Sequence, residues 1–257
     1  MRTVGIDLAV QPQKTGIAHI DWDAEGLGTA TVKTGASDDE IVAELLDPRA
    51  DVIGLDVPLG WPTRFVEMLV AHHDLQPIEA GGWPELYDAM RMRTTDHWIR
   101  QNCGANPISV SANMIGATAM RAAWLLSTAE QAGLVVDRSG LSGRVVEVYP
   151  AGALRQWGIS ASGYKARGAV GTELQRVFAA VSDGLRLTVP SGVANDHELD
   201  ALICAVVARM ARTGMTHDVP EEHREAARRE GWIHLPVSRL ADSRAVVADG
   251  RSWPVAR

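Results

Sequence analysis

Thr3-Val4-Gly5-Ile6-Asp7-Leu8-Ala9, a short loop, then Thr15-Gly16-Ile17-Ala18-His19-Ile20-Asp21-Trp22 is the stretch on which the fold turns. The first segment reads as a buried strand, with Val4, Ile6, Leu8 and Ala9 around one carboxylate. The second reads as its antiparallel partner. A charge inside a buried strand is costly unless something pairs with it. Asp7 therefore either binds a cation or accepts hydrogen bonds from backbone donors.

Working outward, residues 28–34 are Thr/Val-rich and alternating, a third strand. Ser37 and Glu40 form a capping box that opens a helix with an Ile41, Val42, Leu45, Leu46 stripe, and Pro48 stops it. Residues 51–58 are a short apolar strand ending in Asp56 and Pro58. The order strand, strand, strand, helix, strand predicts a right-handed crossover that lays the fourth strand parallel beside the first. Asp7 and Asp56 then become neighbours, and a shared divalent cation would relieve their repulsion. The competing reading of Asp56 is a turn residue before Pro58.

Residues 58–143 read as a helical insertion, a lid or specificity element rather than a second domain. Phe65, Met68 and Leu69 suggest a short helix, and residues 81–84 a loop. Residues 91–100 are its most basic part: Thr95 is a candidate cap, Arg93 and Arg100 are candidates for phosphate contacts, and Arg93 could instead pair with Asp96. Residues 111–132 predict a long helix with Met114, Ile115, Met120, Trp124 and Leu125 in the core. Residues 144–150 are a strand carrying Glu147, either a further ligand or an ordinary hydrogen-bonded strand residue. Lys165 lies in a loop, against a phosphate or in solvent, and residues 172–185 are an amphipathic helix.

The second informative stretch is Asn195-Asp196-His197-Glu198-Leu199-Asp200-Ala201. Asn195 caps a helix with Glu198 at its third position. Leu199, Ile203, Val206, Val207 and Met210 give the stripe that meets the sheet, and Asp200 borders it. His197 and Asp196 lie one turn earlier on the same side. Glu198 is read as pointing outward. Residues 214–257 form a C-terminal extension with a helix at 220–230 and a short added strand at 231–236.

The chain of 257 residues is 46% hydrophobic and 22% charged, enough for one large domain, taken as 1–257. A net charge of −7 argues against broad electrostatic binding to nucleic acid, while allowing a local carboxylate cluster that holds metal. No run approaches the roughly 18 apolar residues of a membrane helix. A start that reads directly as a strand, with only Cys103 and Cys204 far apart, points to free thiols in the cytoplasm.

This order of elements, with acids on strand one, strand four and a late helix, resembles the RNase H-like fold: a mixed α/β sheet, three antiparallel strands then parallel ones, helices on both faces. His197-Glu198-Leu199-Asp200-Ala201 resembles the third motif of RuvC-type nucleases. The chain as a whole is similar to domain-of-unknown-function family 429, predicted RNase H-like nucleases. The similarity rests on Gly5-Ile6-Asp7, Thr15-Gly16, residues 55–60, Arg93-Thr94-Thr95-Asp96, Glu147-Val148-Tyr149-Pro150, residues 196–201 and Gly231-Trp232-Ile233. The resemblance implies a two-metal nuclease using Mg²⁺ or Mn²⁺ on a nucleic acid or nucleotide. Asp7 would bridge the metals, Asp56 would complete one site, and Asp200 with His197 or Asp196 the other. RuvC-type enzymes usually carry Glu where this chain has Asp56. Two other classes compete: a binding module without turnover, and an actin-like ATPase, which needs a second copy of the fold that the sequence does not offer. Metal binding at Asp7 and Asp56 separates the first two; ATP binding would single out the third.

Overall fold

Alternation along the first strand sorts side chains between two faces of one sheet. The computed structural model describes residues 1–78, 82–165 and 172–237. β1 (Arg2–Asp7) runs antiparallel to β2 (Gly16–Trp22), which pairs with β3 (Gly28–Thr34). α1 (Asp38–Leu46) begins at the expected capping box: Glu40 N–H donates to Ser37 Oγ, and Ser37 N–H donates to the Glu40 carboxylate. β4 (Val52–Leu55) returns parallel to β1, with Gly54 in register beside Gly5. Then come α2 (Thr63–His73), α3 (Trp83–Arg91), α4 (Thr94–Asn102), α5 (Ile115–Gln131), β5 (Val145–Val148), α6 (Pro150–Gln156), α7 (Glu173–Leu185), β6 (Leu187–Thr188), α8 (Asp196–Arg212), α9 (Arg224–Glu230) and β7 (Ile233–His234). Among the described residues the strands form one sheet in the order β6-β3-β2-β1-β4-β5-β7, in which β2 alone runs against the others.

Val4, Ile6, Ile53, Leu55 and Val145 face one way, onto Ile41 and Leu45 of α1 and Ala119, Ala122 and Leu125 of α5. Ala18, Ile20, Val52, Val146 and Val148 face the other way, onto α8. α8 lies unusually close to the sheet because three strands present glycine to it. A Cβ on Gly16 would come 2.3 Å from the His197 carbonyl oxygen, one on Gly5 1.9 Å from that of Ala201, and one on Gly54 2.3 Å from that of Cys204. The helix thus crosses β2, β1 and β4 with its backbone against theirs.

α5 is a layer of the fold and not part of a lid. Its small buried face of Ala119, Ala122 and Ala129 fits the α1 side of the sheet, and this leaves Met114, Met120 and Trp124, expected in the core, exposed. Trp83 and Pro84, expected in a loop, begin α3, where Pro84 suits the first turn. α4 is capped by Asp96, which accepts from the Arg93 N–H, whereas the Thr95 hydroxyl accepts from the Ile233 N–H. The added strand at 231–236 is β7, at the sheet edge beside β5. The extension beyond 237 lies outside the described residues. No helix among the described residues is long and apolar enough to cross a membrane.

Candidate metal centre

Asp7 ends β1, and Asp56 follows β4, its N–H donating to the Ile6 carbonyl. Both sit at the carboxyl ends of parallel strands, the usual ligand crevice of such sheets. Parity sends them the same way. Asp7 is two residues after Gly5 and Asp56 two after Gly54, the glycines that touch α8. Asp200, next to Ala201 on α8, meets them there. One carboxylate oxygen from each of Asp7, Asp56 and Asp200 lies within 4.8 Å of the others, the one such acidic cluster among the described residues.

The surroundings of the three acids differ. His197 Nδ1 lies 2.6 Å from Asp7 Oδ2, and this contact with Asp7 raises the imidazole pKa despite partial burial. Asp200 is fully buried; its Oδ1 accepts from the Tyr164 hydroxyl at 2.8 Å and its Oδ2 pairs with Lys165 Nζ at 2.5 Å. Burial lifts the Asp200 carboxyl to about 6 even so, with Lys165 pulling it down and Asp7 pushing it up. For Lys165, burial acts to lower the pKa, and the Asp200 and Asp56 charges overcome it and raise it. Asp56 accepts no hydrogen bond among the described residues. Burial first, then the Asp7 charge, raises its pKa well above the ordinary carboxylate value. A half-buried carboxylate with free oxygens beside two more is the donor set of a hard divalent cation.

The other residues singled out in the sequence fall elsewhere. Asp196, at the first position of α8, lies outside the acidic cluster. Glu147 lies outside the acidic cluster: Leu55 is its register partner, so it points to the face opposite Asp7 and Asp56. There it binds Arg93, with contacts of 2.7 and 2.9 Å, and accepts from the Leu59 N–H. Arg93 is turned inward. It is buried, and its guanidinium donates to Asp96, Glu147 and the Glu230 carbonyl. Arg100 is exposed on α4, with no hydrogen bond or ion pair among the described residues. Glu198 does not point outward; its carboxylate accepts from the Ala194 N–H and the Thr34 hydroxyl.

Two tyrosines escape the sequence reading. Tyr164 is buried and holds Asp200; its only signal is an aromatic residue in a polar loop beside Lys165. Tyr149 follows β5 and lines a small cavity with Asp56. Burial first, then the Asp56 charge, raises its phenol pKa. Tyr149 also borders a cleft of about 560 Å³ lined by Gly104, Asn106, Arg155 and Ser160, and is the residue that this cleft shares with the cavity at Asp56.

A family model described as "Protein of unknown function (DUF429)" matches residues 5–225. No curated protein and no solved structure matches the chain.

Proposed function

We propose, for a chain that belongs to the DUF429 family of proteins of unknown function, a metal-dependent nuclease acting on phosphodiester bonds, built on an RNase H-like fold. The observation that carries this reading is the convergence of Asp7, Asp56 and Asp200 from two parallel strands and a helix packed across them. The reversed β2 beside parallel β1, β4 and β5, with helices on both faces, supports the fold assignment. The free oxygens of Asp56 and Asp7 fit Mg²⁺ or Mn²⁺. The ion would supply Lewis-acid charge to a phosphate and acidify a water. His197 orients Asp7, in the manner of outer groups that fix a ligand's direction. Tyr149 and Arg155 line the cleft through which a phosphodiester would reach the acids, the place the sequence gives to Arg93 and Arg100.

The test is cleavage of single-stranded, duplex and branched substrates in Mg²⁺ or Mn²⁺ against Ca²⁺, with wild type and Asp7→Asn compared. Ca²⁺ tolerates looser geometry and should not support cleavage. Asp7→Asn should lower the rate by two orders of magnitude or more, by analogy with other losses of preorganised charge. Equal cleavage by both proteins would end the assignment. One observation favours a second reading, a binding module without turnover: Asp200 already has a cation of the chain's own, Lys165. A Mn²⁺-dependent rise in melting temperature without cleavage of any substrate would select it.

A further inference from the structure

Lys165 stands where a second cation would go. We infer that the centre takes one divalent ion, on Asp7 and Asp56, and that the Lys165 ammonium replaces the second ion at Asp200. This rests on the metal-centre reading above and revises the two-ion arrangement that the family resemblance implies.

Three observations converge on it. First, both Asp200 oxygens are occupied from within the chain, Oδ1 by the Tyr164 hydroxyl at 2.8 Å and Oδ2 by Lys165 Nζ at 2.5 Å. An ion at Asp200 would have to displace a charge-assisted contact with a fully buried partner. Second, both oxygens of Asp56 and Oδ1 of Asp7 accept nothing among the described residues, which leaves an open donor set on one side of the cluster only. Third, the charges close. Three carboxylates are balanced by one divalent ion and one ammonium. A second divalent ion beside Lys165 would leave the pocket with two excess positive charges before any phosphate arrived. A lysine is suited to the place, being a compact point charge on a flexible stem. The side chain is half-exposed, and its ammonium reaches Asp200 while lying over the Tyr164 ring, 5.4 Å from its centroid.

The experiment counts ions and needs no substrate. Mn²⁺ is titrated into the full chain by calorimetry, and bound Mn²⁺ is examined by electron paramagnetic resonance, for wild type, Lys165→Gln and Lys165→Arg. Wild type should bind one Mn²⁺ with an uncoupled signal. Lys165→Gln should bind two, with the spin coupling of a close pair. Lys165→Arg keeps the charge and should stay at one, which separates the loss of charge from the loss of a contact. Thermal melting confirms that each variant is folded. Two coupled ions in wild type, one ion in a folded Lys165→Gln, or no Mn²⁺ bound by wild type would each overturn the inference. Absence of nuclease activity with one bound Mn²⁺ would sink the nuclease reading and leave the role of Lys165 standing.

Discussion

Asp56 is the acid with the least to hold it in the metal-free protein. His197 contacts Asp7, and Tyr164 and Lys165 bind Asp200, but no side chain among the described residues donates to Asp56. Its charge faces two other carboxylates from a half-buried position. Asp56→Asn keeps the shape and removes that repulsion. In buffer with chelator at pH 8 the variant should therefore melt higher than wild type, by about 2–4 °C if the relief is on the order of 1 kcal/mol. Added Mn²⁺ should stabilise wild type and leave the variant unmoved. A lower melting point for the metal-free variant would show that Asp56 has a stabilising partner after all. At this scale the sequence is legible where alternation is sufficient. Asp7 and Asp56 fall on one face because each stands two residues beyond a glycine that must meet the helix. Glu147 is misread because an acid within an apolar strand looks alike on either face, and only its register with Leu55 reveals which face it takes.

α4, β5, α9 and the loop after Asp56 are tied together at one guanidinium. Arg93 is 2% exposed, and each of its five N–H donors has an acceptor: two contacts to Asp96, two to Glu147 and one to the Glu230 carbonyl. Glu147 passes the restraint on through the Leu59 N–H, three residues beyond Asp56. Gly231 lets this happen. At φ +86° it comes so close that a Cβ would sit 2.7 Å from Glu147 Oε2. From the quoted pieces, Arg93, Thr95, Asp96, Glu147, Gly231 and Ile233 are thus one structural clamp, while Tyr149 alone turns to Asp56. Arg93→Met leaves two buried carboxylates without their cation and should cost about 3–5 kcal/mol in urea unfolding. Adding Glu147→Met should recover part of that loss, since neighbours in one network are not additive. Additive losses would mean that the two residues do not share a network. The sequence offers Arg93 either a phosphate or Asp96 and cannot choose, because the second acid and the carbonyl come from residues 54 and 137 positions away. α8, by contrast, is legible in its cap and its buried stripe: Asn195 accepts from the Glu198 N–H as its spacing predicts, and only the Glu198 side chain, taken up by Thr34 and the Ala194 N–H, departs from its outward reading.

Across the whole molecule, the sheet closes at its β7 edge on a buried histidine far along the chain from the acids. His234 sits between the Ser139 carbonyl, 3.1 Å from Nε2, and the Thr216 hydroxyl, 3.3 Å from Nδ1. The neutral ring satisfies both, donating from Nε2 and accepting at Nδ1. Burial lowers its pKa below the ordinary histidine value, against the opposing pull of the Ser139 carbonyl and of Asp137 and Asp218. His217, which meets the Trp98 ring edge-on at 5.4 Å, is lowered by burial too. With a folded pKa below the unfolded value of about 6.5, the unfolded chain binds more protons in that range, so stability rises with pH. The contribution is complete above pH 6.5 and is lost as pH falls towards the lowered folded value. His197, held by Asp7, works the other way, its contribution being lost as pH rises through its raised value. Urea unfolding of wild type between pH 7.5 and 5.5, in chelator, should therefore show a loss on acidification that His234→Gln reduces. The amide can still donate to Ser139 and face Thr216 but takes up no proton. His197→Gln should steepen the same loss, because it removes the opposing group. An unchanged slope in His234→Gln would mean that burial does not hold the folded ring's pKa below its unfolded value, the pull of Ser139, Asp137 and Asp218 having offset it.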